Sequence, residues 1–269
     1  MTYCVGMCLA EGCVLLSDTR TNAGWDNIAT FSKMHVFSAP GERVVALLTA
    51  GNLAITQSVI SLISEGLENK DTGERETLWD MHSMFDTARF VGRAVRDVYE
   101  KDHAALEERG VPFDAAFIVA GQLRGRRMRM FQIYSAGNFI EASKDTPFLQ
   151  IGEHKYGKPI LDRVCKYDTP LKDAVSLAMI SMDSTIRSNL SVGLPLDLVV
   201  FARDKVQIEM QQRIDDNDPF FRMISERWSA SLRNAYRALP LPPWMNGERD
   251  PTPVAAPAKR AVRKKTKKA

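Results

Sequence analysis

Apolar residues in this chain follow two rhythms, an alternating one in short runs and a three-to-four one in longer runs. The first apolar run, Tyr3 to Leu9, meets Ala10-Glu11-Gly12, and a second run, Cys13 to Leu16, returns. Glu-Gly between two β-favouring runs predicts a hairpin folded about residue 11. Folding it there lays Thr2 beside Asp18 to Arg20. Beyond Arg20-Thr21-Asn22, the stretch Gly24-Trp25-Asp26-Asn27 has turn composition, and a third strand spans Thr30 to Phe37. Reflection about that turn places Lys33 opposite Asp18, in a three-stranded meander.

A fourth strand, Arg43 to Leu48, runs into Thr49-Ala50-Gly51 and then a helix with Ile55, Val59, Leu62 and Ile63 on one stripe. The three-four rhythm from about Thr77 to Glu108 predicts one long amphipathic helix. Strands follow at Ala115–Leu123, Met128–Ser135, Phe139–Ala142 and Pro147–Ile151, then helices near Tyr156–Cys165 and Leu171–Ser188. A hairpin of Leu196–Arg203 and Val206–Met210 precedes a last helix. That helix has Asp218 as N-cap, Pro219 in its first turn and the stripe Phe221, Ile224, Trp228, Leu232, Tyr236, Leu239. Strands and helices come in blocks, which excludes the strict alternation of a doubly wound parallel sheet. An α+β four-layer α/β/β/α sandwich, with two antiparallel sheets between helix layers, uses every amphipathic face.

Apolar residues make up 45% of the 269, enough for a substantial core. No apolar run reaches the length of a membrane span, and the first residues make a poor signal peptide. The net charge of +3 conceals a division of the chain. Seven basic and no acidic residues lie from Pro251 onward, leaving 29 Lys and Arg against 33 Asp and Glu before it. The expected organisation is therefore a domain over 1–245 and a Pro/Ala/Lys-rich basic tail over 246–269. The tail offers weak electrostatic attraction for nucleic acid and lacks aromatic interleaving. Cys4, Cys8, Cys13 and Cys165 have no metal-ligand spacing and read as small buried thiols in a reducing cytoplasm. The four histidines show no metal spacing either, and Gly152 to Pro159 fails as a phosphate loop because Pro159 stands where a hydroxyl is needed. No metal or cofactor is expected.

The chemistry gathers around Thr2. Removal of Met1 would leave a threonine whose own α-amino group, with an unperturbed pKa of about 7.7–8.0, can take the hydroxyl proton. A lysine ammonium nearby lowers the pKa of both groups, and Asp18 would hold Lys33 in place. Gly51, between a strand and a helix start, offers an unobstructed N–H for a developing oxyanion.

Thr2, Ser17-Asp18-Thr19-Arg20-Thr21, Lys33 and Ala50-Gly51 together resemble the pattern of proteasome β-type subunits. Among these the resemblance is to the bacterial ancestral β-subunit family, Anbu, and it runs from residue 1 to about 245. It implies an N-terminal-nucleophile hydrolase of the four-layer fold, with Thr2, Asp18, Lys33 and Gly51 catalytic. It also implies that Arg20, Thr21 and Asn22 border a channel for a peptide or unfolded-protein substrate, and that the chain self-associates into a homo-oligomer. Gly152-Glu153 stands where the proteasome pattern has glycine then serine. Ser188 stands where an aspartate is expected, while Ser191 matches. Glu153, Ser188 and Ser191 are therefore the auxiliary positions. Two alternatives stay open, an amidase acting on small amides and an assembly protein with a silent site. An ATPase partner also stays open.

Overall fold

A computed structural model describes residues 1–22, 28–70 and 72–245. The turn expected at Gly24–Asn27 and the basic tail of 246–269 lie outside the described residues. The chain divides into two compact units, Met1–Asn217 and Asp218–Ala269.

In the first unit the opening strands β1 (Tyr3–Cys8) and β2 (Gly12–Asp18) form the expected hairpin, with Cys4 opposite Ser17 and Cys8 opposite Cys13. Next come β3 (Arg20–Asn22), β4 (Ile28–Thr30), β5 (Met34–Ala39) and β6 (Arg43–Gly51), then α1 (Leu53–Glu65). A two-rung ribbon, β7 (Leu67–Glu68) with β8 (Arg75–Glu76), leads to α2 (Met84–Glu108). Strands β9 (Ala115–Leu123), β10 (Arg129–Ile133), β11 (Phe139–Glu141) and β12 (Phe148–Gly152) follow. Helices α3 (Lys158–Val164) and α4 (Leu171–Ser188) precede β13 (Leu196–Ala202) and β14 (Met210–Ile214).

Two five-stranded antiparallel sheets result, one ordered β12-β1-β2-β13-β14 and the other β11-β10-β9-β6-β5. Helix α4 covers the first, with α3 packed against it, and α1 and α2 cover the second. The α+β four-layer sandwich expected from the pattern is the fold observed. Alternation along β1 shows how the layers are filled. Cys4 and Cys8 enter the core between the sheets with Leu15, Leu48, Ile118 and Met130. Tyr3 and Met7 point the other way, where Tyr3 reaches Ser181 of α4 and Met7 meets Cys165. A sheet covered on both faces needs apolar residues at both parities, and every residue of β1 and β2 is buried.

Three expectations are corrected. Thr30–Phe37 is not the third strand of a meander. It breaks at Phe31–Lys33, so β4 pairs with β3 while β5 joins β6 in the other sheet. The long helix does not begin at Thr77. Thr77 and Asp80 form a capping box that closes a 3-10 turn at Leu78–Asp80, and Ser83 caps α2 anew. The strand expected over Val206–Met210 begins only at Met210, after a turn. Asp204 and Val206 have φ of +66° and +47°, and Gln122 holds Asp204 through both its backbone N–H and its carboxylate.

The second unit holds α5 (Pro219–Ala238), started as expected by Asp218, whose carboxylate accepts from the Phe221 N–H at 2.7 Å. Phe221 and Ile224 are buried, whereas Leu232 and Leu239 of the same stripe are exposed. Among the described residues, no helix is long and apolar enough to cross a membrane.

If the inter-sheet core carries the stability, Ile118→Ala, at a fully buried position, should cost about 2–5 kcal/mol in urea denaturation. Ile140→Ala, on the edge strand β11 and half exposed, should stay within about 0.5 kcal/mol. Equal losses would contradict this placement of the core.

Candidate active site

The site lies where the start of β1 in one sheet meets the start of β5 and the end of β6 in the other. Thr2 is buried just ahead of β1, and the hairpin register carries Asp18 to the neighbouring strand's end. Asp18 is fully buried, and its Oδ1 accepts from the Tyr3 N–H at 3.0 Å and from Lys33 Nζ at 2.8 Å. One carboxylate oxygen thus fixes the backbone beside Thr2 and the ammonium together.

Lys33 reaches this point from the facing sheet. Its carbonyl accepts from the Thr49 N–H of β6 at 2.9 Å, while its Nζ donates to Asp18 and, at 2.6 Å, to the Arg20 carbonyl. Only 4% of Lys33 is exposed. Burial pushes the Asp18 carboxyl above its ordinary value, opposed by the Lys33 charge and by hydrogen bonds from Lys33 and the Tyr3 amide. A buried carboxylate beside an ammonium is the arrangement in which these two effects oppose each other most strongly.

Two glycines make the geometry possible. Gly51 closes β6 with φ of +106°, and a Cβ there would fall 2.4 Å from the Asp114 carbonyl. Gly152 closes β12 with φ of +80°, and a Cβ there would stand 2.0 Å from the Thr2 carbonyl. Only glycine adopts such a φ without steric cost. The chain therefore passes close over Thr2, and the Glu153 N–H donates to the Thr2 carbonyl at 2.6 Å.

A cleft of about 660 Å³ opens on Thr2 and Lys33. Thr21, Phe31, Ala50, Gly51 and Leu53 also line it. The Thr21 hydroxyl is buried without a partner among the described residues. Arg20, by contrast, sends its guanidinium to the Leu190 carbonyl at 3.0 Å. Asn22 ends β3, paired with Ile28.

The auxiliary positions separate. Glu153 is buried and accepts from the Asn189 side-chain amide at 3.2 Å. Ser188 is exposed in the last turn of α4, and the Ser191 N–H donates to Asn189 Oδ1 at 2.9 Å. Sequence reasoning missed Asn189. The signal was its position between Ser188 and Ser191, one residue past the helix, where it terminates α4 and leaves its amide free to turn toward Glu153. Among the described residues, no group of three or more His, Cys, Asp or Glu side chains gathers to hold a metal ion.

Because burial raises the folded-state pKa of Asp18, the stability its carboxyl contributes is complete below the unfolded value of about 3.9. It is lost as pH rises through the raised value. The stability of wild type relative to Asp18→Asn, read by urea denaturation, should therefore fall from about pH 4 to pH 7. A relative stability that rises over that range would contradict burial as the ruling effect.

Several solved structures share this architecture over nearly their whole length. The Anbu (ancestral beta-subunit) from Yersinia bercovieri is 46% identical, covering 91% of this chain and 100% of that chain, with a TM-score of 0.81. The Anbu (Gly-1) mutant from Hyphomicrobium sp. strain MC1 is 49% identical over 89% of this chain and 98% of that one, with a TM-score of 0.80. A structure described as the helical assembly of the Anbu complex from Pseudomonas aeruginosa is 46% identical, covering 90% and 98% of the two chains, with a TM-score of 0.83. No family model and no curated protein matches the chain. At this identity and coverage, and with the same fold, the chain belongs to the Anbu family of proteasome-related ancestral β-subunits.

Proposed function

We propose that this chain is a threonine-type N-terminal-nucleophile peptidase that works inside a self-associated assembly. The observation that carries the reading is the meeting of Thr2, Asp18 and Lys33, with one Asp18 oxygen holding both the strand beside Thr2 and the lysine.

Loss of Met1 frees the Thr2 amine. That amine accepts the hydroxyl proton as Oγ attacks the peptide carbonyl, and the Lys33 ammonium favours the alkoxide as it develops. The carbonyl oxygen becomes an oxyanion facing the Gly51 N–H. The C–N bond then breaks, the proton passes to the departing amine, and an ester on Thr2 remains. Water, deprotonated by the same amine, cleaves the ester. Glu153, held by Asn189 and bonded through its own N–H to the Thr2 carbonyl, would orient the Thr2 amine in place of a hydroxyl. Ser191 supports Asn189 through its backbone, and Ser188 has no direct part. An extended substrate would lie in the cleft between Thr21 and Gly51, held through backbone hydrogen bonds as an added strand.

Self-association is supported by the helical assembly described for the Pseudomonas aeruginosa relative. The exposed Leu232 and Leu239 of α5 supply apolar surface for it. Four free cysteines and no disulfide among the described residues suit a reducing cytoplasm.

Lys33→Ala should lower turnover of blocked peptides by about 10²–10⁴, with the sheets intact by circular dichroism. Lys33→Arg should not restore it, because a guanidinium is planar and donates differently. Turnover of small acyl amides in preference to peptides would instead favour the amidase. A folded Lys33→Ala chain with wild-type turnover of both substrates would overturn the mechanism. Sedimentation at micromolar concentration should show species larger than the 30.1 kDa chain; monomer alone would contradict assembly.

A further inference from the structure

At the far end of the hairpin that carries Thr2, two cysteines that the proposed catalysis does not use face each other. Cys8 stands directly opposite Cys13 across β1 and β2. The Cys8 N–H points away from that rung, to the Pro147 carbonyl at 2.7 Å, while the next rung is joined by the Leu9 N–H to the Gly12 carbonyl at 2.8 Å. Cys8 and Cys13 are therefore a non-hydrogen-bonded pair. Such pairs bring the Cα atoms to about 4.5 Å and the side chains closer than at other rungs. That separation lies within the range of about 4.4–6.8 Å in which a disulfide closes. Both side chains enter the core between the sheets, so they share one face.

The two thiols are not equivalent. Cys13 is completely buried, whereas Cys8 keeps 9% of its surface at the sheet's end. Arg203 is clamped beside Cys8, donating to the Ala10 carbonyl at 2.7 Å and the Leu9 carbonyl at 2.6 Å. The neighbouring Cys13 thiol and the Arg203 charge hold the Cys8 thiol below its ordinary value, against burial and Glu141. Burial pushes the Cys13 thiol well above its own. A cation-paired cysteine at the end of a sheet, beside a second and more deeply buried thiol, is the arrangement of a sensing and a resolving residue.

We propose that Cys8 and Cys13 are a reversible redox modification site, with Cys8 the hydroperoxide-reactive thiol and Cys13 the resolving one. The Cys8 thiolate attacks a hydroperoxide; the O–O bond breaks, Cys8 becomes a sulfenic acid, and the departing alkoxide or hydroxide takes up the proton the thiol had released and leaves as an alcohol or water. The Cys13 thiol then attacks the Cys8 sulfur. The S–O bond breaks, water leaves with the Cys13 proton, and a disulfide forms. Two thiols are oxidised by two electrons and one hydroperoxide is reduced. A dithiol reductant reverses the step. The closed loop spans only Cys8 to Cys13, so the cross-link removes little chain entropy, and its effect is local to this end of the hairpin.

The hairpin offers its own readout, because Glu11 lies between the two cysteines. The folded full chain is treated with hydrogen peroxide, alkylated and cut with a Glu-specific protease. The expected product is two peptides joined through Cys8 and Cys13, separated by dithiothreitol and still formed in Cys4→Ser. Cys13→Ser should leave a Cys8 sulfenic acid that dimedone traps, and Arg203→Gln should slow its formation on the order of tenfold. Free alkylation of both cysteines after peroxide, or linkage through Cys4 instead, would overturn the proposal. So would a Cys8 that passes to sulfinic acid without linkage in the wild-type chain.

Discussion

A single carboxylate oxygen joins the two sheets at the point where chemistry is proposed. Asp18 Oδ1 takes a hydrogen bond from the first strand of its own sheet and an ion pair from a lysine anchored on the other sheet. Both charges are almost wholly removed from water. A buried pair of this kind is weak evidence for stability, since desolvation offsets much of the Coulombic attraction. Its retention here fits a positioning role. Losing either partner leaves the other charge unpaired inside the protein, which ties the integrity of the site to that of the sandwich.

The surrounding fold makes that pair rigid. β1 and β2 are interior strands of a sheet covered on both faces, so Thr2 is delivered by backbone that has no room to shift. Gly152 then lets the end of β12 cross over Thr2, and the Glu153 amide closes on its carbonyl. Placement at the ends of buried strands is what a constellation needs when its geometry must hold within a fraction of an ångström.

Much of this was legible from residue order. The hairpin turn at Glu11-Gly12 fixes its register, and counting outward from it brings Thr2 to Asp18 without further information. The route of Lys33 was less legible. Reflection about the next turn gave the right neighbour through the wrong sheet, because alternation tells which face a residue occupies and not which sheet its strand joins. Local competition hid other features. Thr77 and Ser83 each cap a helix start, breaking a hydrophobic rhythm that reads as continuous. Val206 takes a left-handed turn conformation despite its β-favouring side chain, which shifts the last strand of the sheet four residues on. Asn189 carries no chemistry in sequence; it matters only because the end of α4 lies against Glu153.

The most direct test of Thr2 as a nucleophile with its own amine as base is intact-mass spectrometry of the chain purified from cells. It would be run before and after treatment with an electrophile that must bond to an amine and a hydroxyl of the same residue. The expected result is a chain lacking Met1, with one probe adduct on Thr2 that disappears in Thr2→Ala. A chain that keeps Met1 and takes up no probe would contradict it.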